Sequence, residues 1–242
     1  MSRRTIAIAA ALSVLAFGSP LITARANPLA IQYFNQGVEK YEAGNYQGAI
    51  SDFSKAIEIN PDDDSAYSNR GIAKATLEDY RGAIADWTKA LEINPEDAGV
   101  YYNRGKAKRE LKDFQGSIAD FTKALEINPE YAKAFLNRGT AKTKLGDYQG
   151  SIADFTKALE INPEYANAFH NRGAAKAELG DYQGAIADYN KAIEINSQHS
   201  SAYLNRGIVR ESVNDLEGAC RDWRKAVDLG NKRPAEWVKE QC

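Results

Sequence analysis

Cysteine and histidine are scarce in this chain, whose 242 residues include only two of each. The two histidines, His170 and His199, are far apart in sequence, so no His/Cys cluster has the spacing of a metal site. The sequence also lacks a Gly-rich phosphate loop after a strand, and it lacks a nucleophile elbow. Carboxylates are abundant, but they recur in regular columns rather than as two facing acids. We therefore expect no enzyme activity, no metal and no cofactor.

An apolar run near the N-terminus is too short to be a comfortable membrane span. This run, Thr5–Gly18, has about fourteen residues, and a spanning helix needs roughly 20. Arg3 and Arg4 precede it, and Ala24–Ala26 follows it, which is the plan of a secretory signal peptide with an Ala-x-Ala cleavage site. We predict a signal peptide over residues 1–26 and a mature chain exported to a periplasm, a lumen or the exterior. No cysteine follows the run to carry a lipid, so we expect no membrane insertion after cleavage.

The chain carries no excess of positive charge. Its formal net charge is −2, and loss of the predicted signal peptide removes three arginines and no acid, which gives −5. A mildly acidic protein does not suit nucleic acid or an anionic membrane surface as its main partner.

The rest of the chain repeats itself every 34 residues. The stretch Ser117–Ala132 recurs letter for letter at Ser151–Ala166. Looser copies lie one period away on either side, at Ala49–Pro61, Ala83–Pro95, Ala185–Asn196 and Ala219–Gly230. A fixed period of this length indicates a stacked-repeat protein. We predict six repeats within residues 27–233, at 30–63, 64–97, 98–131, 132–165, 166–199 and 200–233, followed by a tail over 234–242.

The residue pattern within each 34-residue copy predicts a pair of helices. Apolar residues fall three and four apart, as in Ile118, Phe121 and Leu125, and most copies of this second helix end at an Asn-Pro pair. A first helix precedes it, roughly at Ala66–Leu77 in one copy and at Ala134–Leu145 in another. The break between the two helices ends in an Asp or Asn, which is a good N-cap.

Two glycine columns and two aromatic columns run through the copies. Glycine inside a helix is unfavourable relative to alanine, so we expect both glycine columns to allow close helix packing and the aromatic columns to fill the core. The glycines are Gly37, Gly71, Gly105, Gly139, Gly173 and Gly207, then Gly48, Gly82, Gly116, Gly150, Gly184 and Gly218. The aromatics are Tyr33, Tyr67, Tyr101, Phe135, Phe169 and Tyr203, then Phe53, Trp87, Phe121, Phe155, Tyr189 and Trp223.

With this period, these columns and the closing proline, the chain resembles the tetratricopeptide repeat (TPR) family. The resemblance implies an all-α fold, a right-handed superhelical α-solenoid whose first helices line a concave face that binds peptides or protein segments. The chain departs from the usual pattern in three ways. Ser197 replaces one closing proline, which predicts a softer boundary there. An arginine precedes the first glycine of copies two to six, and a Lys or Arg follows four residues later.

Every such arginine has an aspartate to match it. The arginines are Arg70, Arg104, Arg138, Arg172 and Arg206, and the aspartates are Asp52, Asp86, Asp120, Asp154, Asp188 and Asp222. We hypothesise a ladder of Arg–Asp pairs, with the Lys column covering apolar surface by its stems. The alternative is an anion-binding stripe.

The two cysteines are predicted to bridge. Cys220 replaces an isoleucine at a core position that faces the next element, and that element is the tail carrying Cys242. Trp237 falls in the phase of a seventh first-helix aromatic. We predict that residues 234–242 form a capping helix stapled by a Cys220–Cys242 disulfide, because export would place the chain in an oxidising compartment. The alternative is one buried thiol and one frayed terminal thiol.

Candidate binding residues lie in first-helix columns that change chemistry among near-identical copies. Such positions are not needed for stacking, so they are either groove determinants or neutral surface, and we favour the groove. One column reads Phe34, Ser68, Tyr102, Leu136, His170 and Leu204; another reads Val38, Ile72, Lys106, Thr140, Ala174 and Ile208; a third reads Glu42, Thr76, Glu110, Lys144, Glu178 and Ser212. Lys106, Arg109, Lys133 and Lys144 add positive charge beside Tyr102 and Leu136.

An unbroken asparagine column accompanies them: Asn35, Asn69, Asn103, Asn137, Asn171 and Asn205. An amide can pair with a peptide backbone whatever its side chains, and the column resembles the asparagine ladders with which some TPR superhelices hold extended substrates. The alternative is local hydrogen bonding within the repeats.

We expect an exported scaffold or adaptor that binds an extended, partly acidic protein segment, chiefly at copies two to five. Two alternatives remain open, a self-associating structural spacer and an enzyme or small-ligand binder. The oligomeric state does not follow from the sequence.

Overall fold

The computed structural model describes residues 27–242, so the predicted signal peptide lies outside the described residues. Thirteen α-helices and no strand occupy this part of the chain. They are α1 (Pro28–Glu42), α2 (Tyr46–Ile59), α3 (Asp64–Thr76), α4 (Tyr80–Ile93), α5 (Ala98–Glu110), α6 (Phe114–Ile127), α7 (Ala132–Lys144), α8 (Tyr148–Ile161), α9 (Ala166–Glu178), α10 (Tyr182–Ile195), α11 (Ser200–Ser212), α12 (Leu216–Asp228) and α13 (Ala235–Gln241). Between Asn27 and Cys242, no helix is both long enough and apolar enough to cross a membrane.

The helices pair into antiparallel hairpins that stack in a line, α1 with α2 and so on to α11 with α12. Each hairpin packs only on its neighbours, as in repeat proteins. Successive first helices touch one another, from α1 with α3 to α9 with α11, whereas successive second helices do not touch in the described chain. The stack therefore curves with its first helices on the inner side. The predicted all-α solenoid is confirmed.

Local signals in the sequence set the helix ends. The side chain of Asp147 accepts a hydrogen bond from the Gly150 amide at the start of α8. The equivalent Asp or Asn makes the same bond in all the remaining second helices of the described chain. The predicted first helix Ala66–Leu77 is α3, which starts two residues earlier and has Asp63 as its N-cap. Near Ser197, α10 ends at Ile195, as α2, α4, α6 and α8 end at their own isoleucines, and the softer boundary stays a prediction.

The two glycine columns have different causes. A Cβ on Gly139 would lie 2.7 Å from the Phe155 ring, so the first column lets the core aromatic of the same hairpin approach the helix, as predicted. For the second column the prediction of close helix packing was wrong. A Cβ on Gly150 would lie 2.7 Å from Cγ of Asp147, the N-cap of the same helix. Glycine there leaves room for the capping carboxylate rather than for a neighbouring helix.

The aromatic columns also differ. The second-helix aromatics, such as Phe121 and Phe155, are buried and form the core of each hairpin. The first-helix aromatics are only half-buried, and in copies two to six an arginine guanidinium lies over each ring at 5.4–5.5 Å. The expectation that both columns fill the core holds for the second column only.

The predicted Arg–Asp ladder is confirmed. In copy four, Arg138 Nε donates to Asp154 Oδ2 at 3.0 Å and Nη2 donates to Oδ1 at 2.7 Å, and the other four arginines make the same paired contact. Arg138 Nη1 also donates to Thr122 in the preceding hairpin. The lysines do more than cover apolar surface, because Lys142 Nζ lies 2.8 Å from Asp154 Oδ2. Each aspartate of the ladder from Asp86 onward thus pairs with two cationic side chains. The protein's own carboxylates therefore bind the arginines that the alternative, an anion-binding stripe, would offer to a ligand.

Both ends of the stack are closed to further stacking. At the C-terminal end, α13 packs on α12, with the rings of Trp237 and Trp223 5.3 Å apart, and a disulfide joins Cys220 to Cys242. At the other end, α1 exposes Glu39 at the register position where inner copies bury Ala73, Ala107, Ala141 and Ala175. A further hairpin packed there would bury that carboxylate without a partner, which is costly.

Candidate functional site

The inner face of the stack contains a cavity of about 420 Å³ that spans the first three hairpins. Three successive first helices, α1, α3 and α5, supply most of its lining, and α4 contributes Tyr80 and Trp87. Its lining residues are Tyr41, Ile72, Ala75, Thr76, Tyr80, Trp87, Asn103, Lys106, Ala107 and Glu110. We call it the inner cavity.

Apolar and aromatic side chains dominate the lining. The Trp87 indole N–H donates to the Ser68 carbonyl at 3.1 Å, so this buried ring brings no unpaired donor to the cavity. On one side the hydroxyls of Tyr41 and Thr76 lie 3.2 Å apart and join hairpins one and two. Ala75 is one of the two alanines of its column, with Ala177, and it lies in the part of the lining that α3 supplies.

The polar groups of the cavity are unevenly satisfied. Glu110 forms an ion pair with Arg109 at 2.7 Å. Lys106 is exposed and lies over the Tyr102 ring at 5.7 Å, without an ion pair among the described residues. The Asn103 side chain likewise makes no hydrogen bond within residues 27–242, although it is only partly exposed. The cavity thus offers one unmatched cation and one unmatched amide.

One step further along the groove, the corresponding space is filled by the protein itself. Arg109 occupies the column position of Ala75 and donates a short hydrogen bond to the Asn137 side chain. Asn137, only 9% exposed, also donates to the Tyr102 hydroxyl at 3.2 Å and to the Lys133 carbonyl at 2.7 Å. Burial raises the pKa of Tyr102, so its hydroxyl stays protonated at neutral pH. These side chains form a closed network between hairpins three and four.

His170 closes the far end of the groove in the same way. Its two ring nitrogens lie 3.1 Å from the Asn171 oxygen and 3.0 Å from the Asn205 nitrogen, and its ring stacks on His199 at 4.8 Å. Burial lowers the pKa of both histidines, and proximity to His199 lowers that of His170 further. Both rings are therefore neutral at pH 7 and act as packing groups.

The other proposed binding residues are scattered. Lys133, Lys144 and Asn35 are exposed, Leu136 packs in the core cluster around Leu159, and Asn69 donates to the Ser65 carbonyl. Of the asparagine column and the basic residues, Asn103 and Lys106 line the inner cavity, and Ile72, Thr76 and Glu110 of the variable columns line it with them. The asparagine column is thus not uniform: from Asn137 onward its amides bond to neighbouring side chains.

Sequence reasoning did not single out the apolar lining. Tyr41, Ala75, Tyr80 and Trp87 were not proposed as binding residues, although Ile72, Thr76 and Glu110 belong to columns that vary among copies. Variation alone does not show which positions meet across three helices. In the described chain, no group of three His, Cys, Asp or Glu side chains could hold a metal ion.

Comparisons with known proteins agree on one family. A model described as TPR repeat matches residues 37–77, 76–111 and 139–180, and one described as Tetratricopeptide repeat matches 98–131 and 166–199. Among curated proteins, no sequence matches this chain significantly.

Several solved structures share the fold. YrrB, described as a TPR protein with an unusual peptide-binding site, is 26% identical, covering 77% of this chain and 94% of its own, with a TM-score of 0.65. A MamA protein is 25% identical, covering 72% and 94%, with a TM-score of 0.65. PilF of Pseudomonas aeruginosa is 20% identical, covering 88% and 96%, with a TM-score of 0.71.

Proposed function

We propose that this chain, which belongs to the tetratricopeptide repeat family, is an exported, non-catalytic adaptor that binds an extended segment of a partner protein along its inner groove. TPR proteins are generally scaffolds for protein–protein interaction, and this chain carries the same architecture. We further propose that it has six repeats and that its N-terminal segment directs it out of the cytoplasm.

The observation that carries the proposal is the contrast between the two faces of the repeats. The residues that pack hairpin on hairpin barely change from copy to copy, while the first-helix side chains on the inner face change from aromatic to aliphatic to charged. This pattern fits a constant wall with a lining that selects a ligand. YrrB offers a precedent, since a TPR protein of similar length and fold has a peptide-binding site.

Export is supported by two independent features. The basic, apolar and Ala-x-Ala elements of residues 1–26 follow the plan of a signal peptide. The Cys220–Cys242 disulfide suits an oxidising compartment. If this proposal is right, N-terminal sequencing of the mature protein begins at Asn27, and a mature chain that retains Met1 contradicts it.

The closed ends of the stack weigh against a spacer that self-associates end to end. Continuation past α1 would bury Glu39, and continuation past α12 would require α13 to leave Trp223. The partner is therefore expected on the inner face rather than at an end.

Site-specific photocrosslinking tests the binding face. A photoreactive amino acid is placed at Thr76, on the inner face, or at Ala119, on the exposed face of α6, and the protein is expressed in its own cells. We expect discrete crosslinked products from position 76 and none from position 119. Equal products from both positions, or products from 119 alone, contradict a groove-binding adaptor.

A further inference from the structure

We propose that the inner cavity binds one large apolar side chain of the partner segment and that the residue next to this side chain is acidic. The inference rests on the proposed function and deepens it by naming the site and the chemistry of the ligand. It also moves the main contact from copies two to five, as expected from the sequence, to copies one to three.

The size and lining of the cavity fit a side chain. Its volume of about 420 Å³ lies near the lower end of the roughly 300–1,000 Å³ that ligand pockets span. Ile72, Ala75, Tyr80, Trp87 and Ala107 give it an apolar interior, and burial of a large aliphatic or aromatic group there is favourable because it removes apolar surface from water. No side chain of the described protein occupies this space.

The charges at the cavity select the neighbour of that side chain. The lining contains two charged residues, Lys106 and Glu110, and Glu110 is already paired with Arg109. Lys106 therefore presents the one unmatched charge, and it is positive. A carboxylate from the ligand complements it, while a basic residue at the same place would be repelled. Asn103 adds an unmatched amide that can bind a backbone N–H or C=O.

The side chains farther along the groove explain why the cavity is confined to the first three hairpins. In the next step along the stack, Arg109 stands where Ala75 stands here, and its guanidinium reaches across to Asn137. Farther on, the His170–His199 stack and the bond to Asn205 join the last two hairpins. Ala75 lines the cavity where copy three has Arg109, so the repeat itself supplies a residue large enough to fill it. In copy five the equivalent residue is also alanine, Ala177, but there His170 bonds to Asn205.

This relation provides a blocking variant and its control. Ala75→Arg copies Arg109 into copy two and should close the cavity by bonding to Asn103. Ala177→Arg makes the same change in copy five, away from the cavity. For the charge, Lys106→Glu is compared with Lys112→Glu, which alters an exposed lysine of the α5–α6 turn and copies Glu78 of copy two. Circular dichroism melting checks that all four variants fold.

The probe is a library of random twelve-residue peptides selected on the full chain, followed by measurement of dissociation constants for the enriched peptides. We expect enrichment of a large apolar residue beside Asp or Glu. Ala75→Arg and Lys106→Glu should each weaken binding by about tenfold or more, because each removes an anchor at the centre of the interface. Ala177→Arg and Lys112→Glu should change binding by less than about twofold.

Two other outcomes separate the hypotheses. If peptides are enriched but bind Ala75→Arg as well as the parent, and lose affinity in Ala177→Arg or Lys112→Glu, the cavity proposal is wrong and the adaptor proposal stands. If no peptide is enriched above the unselected library, both the cavity and the adaptor proposals are contradicted.

Discussion

Removing one arginine of the ladder should destabilise the whole stack, because its aspartate is buried. Asp154 is only 3% exposed and receives two hydrogen bonds from Arg138, at 2.7 and 3.0 Å. The same guanidinium bonds to Thr122 of the preceding hairpin and lies over the Phe135 ring. Arg138→Ala therefore breaks contacts within one hairpin and between two.

The magnitude follows from what remains at the carboxylate. Stranding a buried charge costs about 3–5 kcal/mol, and Lys142 stays 2.8 Å from Asp154 to compensate it in part. We therefore expect the lower end, a loss of about 3 kcal/mol in the free energy of unfolding. The double variant Arg138→Leu/Asp154→Ala leaves no stranded carboxylate, so it should recover most of this loss.

Urea denaturation monitored by circular dichroism provides the assay, with Lys144→Ala as the control. Lys144 is exposed and has no ion pair in the described chain, so its removal should change stability by no more than about 0.5 kcal/mol. A loss below about 1 kcal/mol for Arg138→Ala, or a double variant less stable than the single one, would contradict the claim that Arg138 compensates the buried charge of Asp154.

Three further predictions concern the core, the groove and the cap. Gly139→Ala places a Cβ 2.7 Å from the Phe155 ring and should lower the unfolding free energy by about 1–3 kcal/mol in the same urea assay; an unchanged midpoint contradicts the close approach. Burial lowers the pKa of His170 and His199 below 6.5, so the unfolded chain binds more protons than the folded chain and stability should fall as the pH drops below 6.5. The double variant His170→Tyr/His199→Tyr copies the neighbouring rings of Tyr102 and Tyr131, and it should lose this pH dependence in melting experiments. A pH dependence equal to that of the parent would contradict the lowered pKa of the two histidines. Alkylation and mass measurement should find no free thiol at Cys220 or Cys242 without reductant, and reduction should cost about 3 kcal/mol; two labelled thiols without reductant contradict the bridge.

Much of the fold could be predicted from the sequence because the signals are local and recur. The Asn-Pro pair that follows Ile127 and the Asp147 cap that precedes α8 mark helix ends by the chemistry of one or two residues. The pairing of Arg138 with Asp154 was predictable from matching columns 16 residues apart. The exact repeat boundaries stay a prediction.

The features that sequence reasoning did not reach depend on neighbours in space. Lys142 reaches Asp154 of α8 only because Arg138 and Lys142, one turn apart on α7, both face this carboxylate. Glycine is required at position 150 because a Cβ there would collide with the Asp147 side chain, a contact that depends on the folded cap. The inner cavity is lined by Ala75 where the next copy has Arg109, and this difference matters only because adjacent first helices touch.

The docking of a ligand into the inner groove is the central claim, and mapping a crosslinked ligand tests it most directly. A peptide from the selection, with a photoreactive group in place of its apolar residue, is irradiated with the full chain, and the modified residues are identified by mass spectrometry. We expect modification at cavity residues such as Ile72, Thr76 and Asn103. Modification confined to exposed second-helix residues such as Ala85 and Ala119 would contradict it.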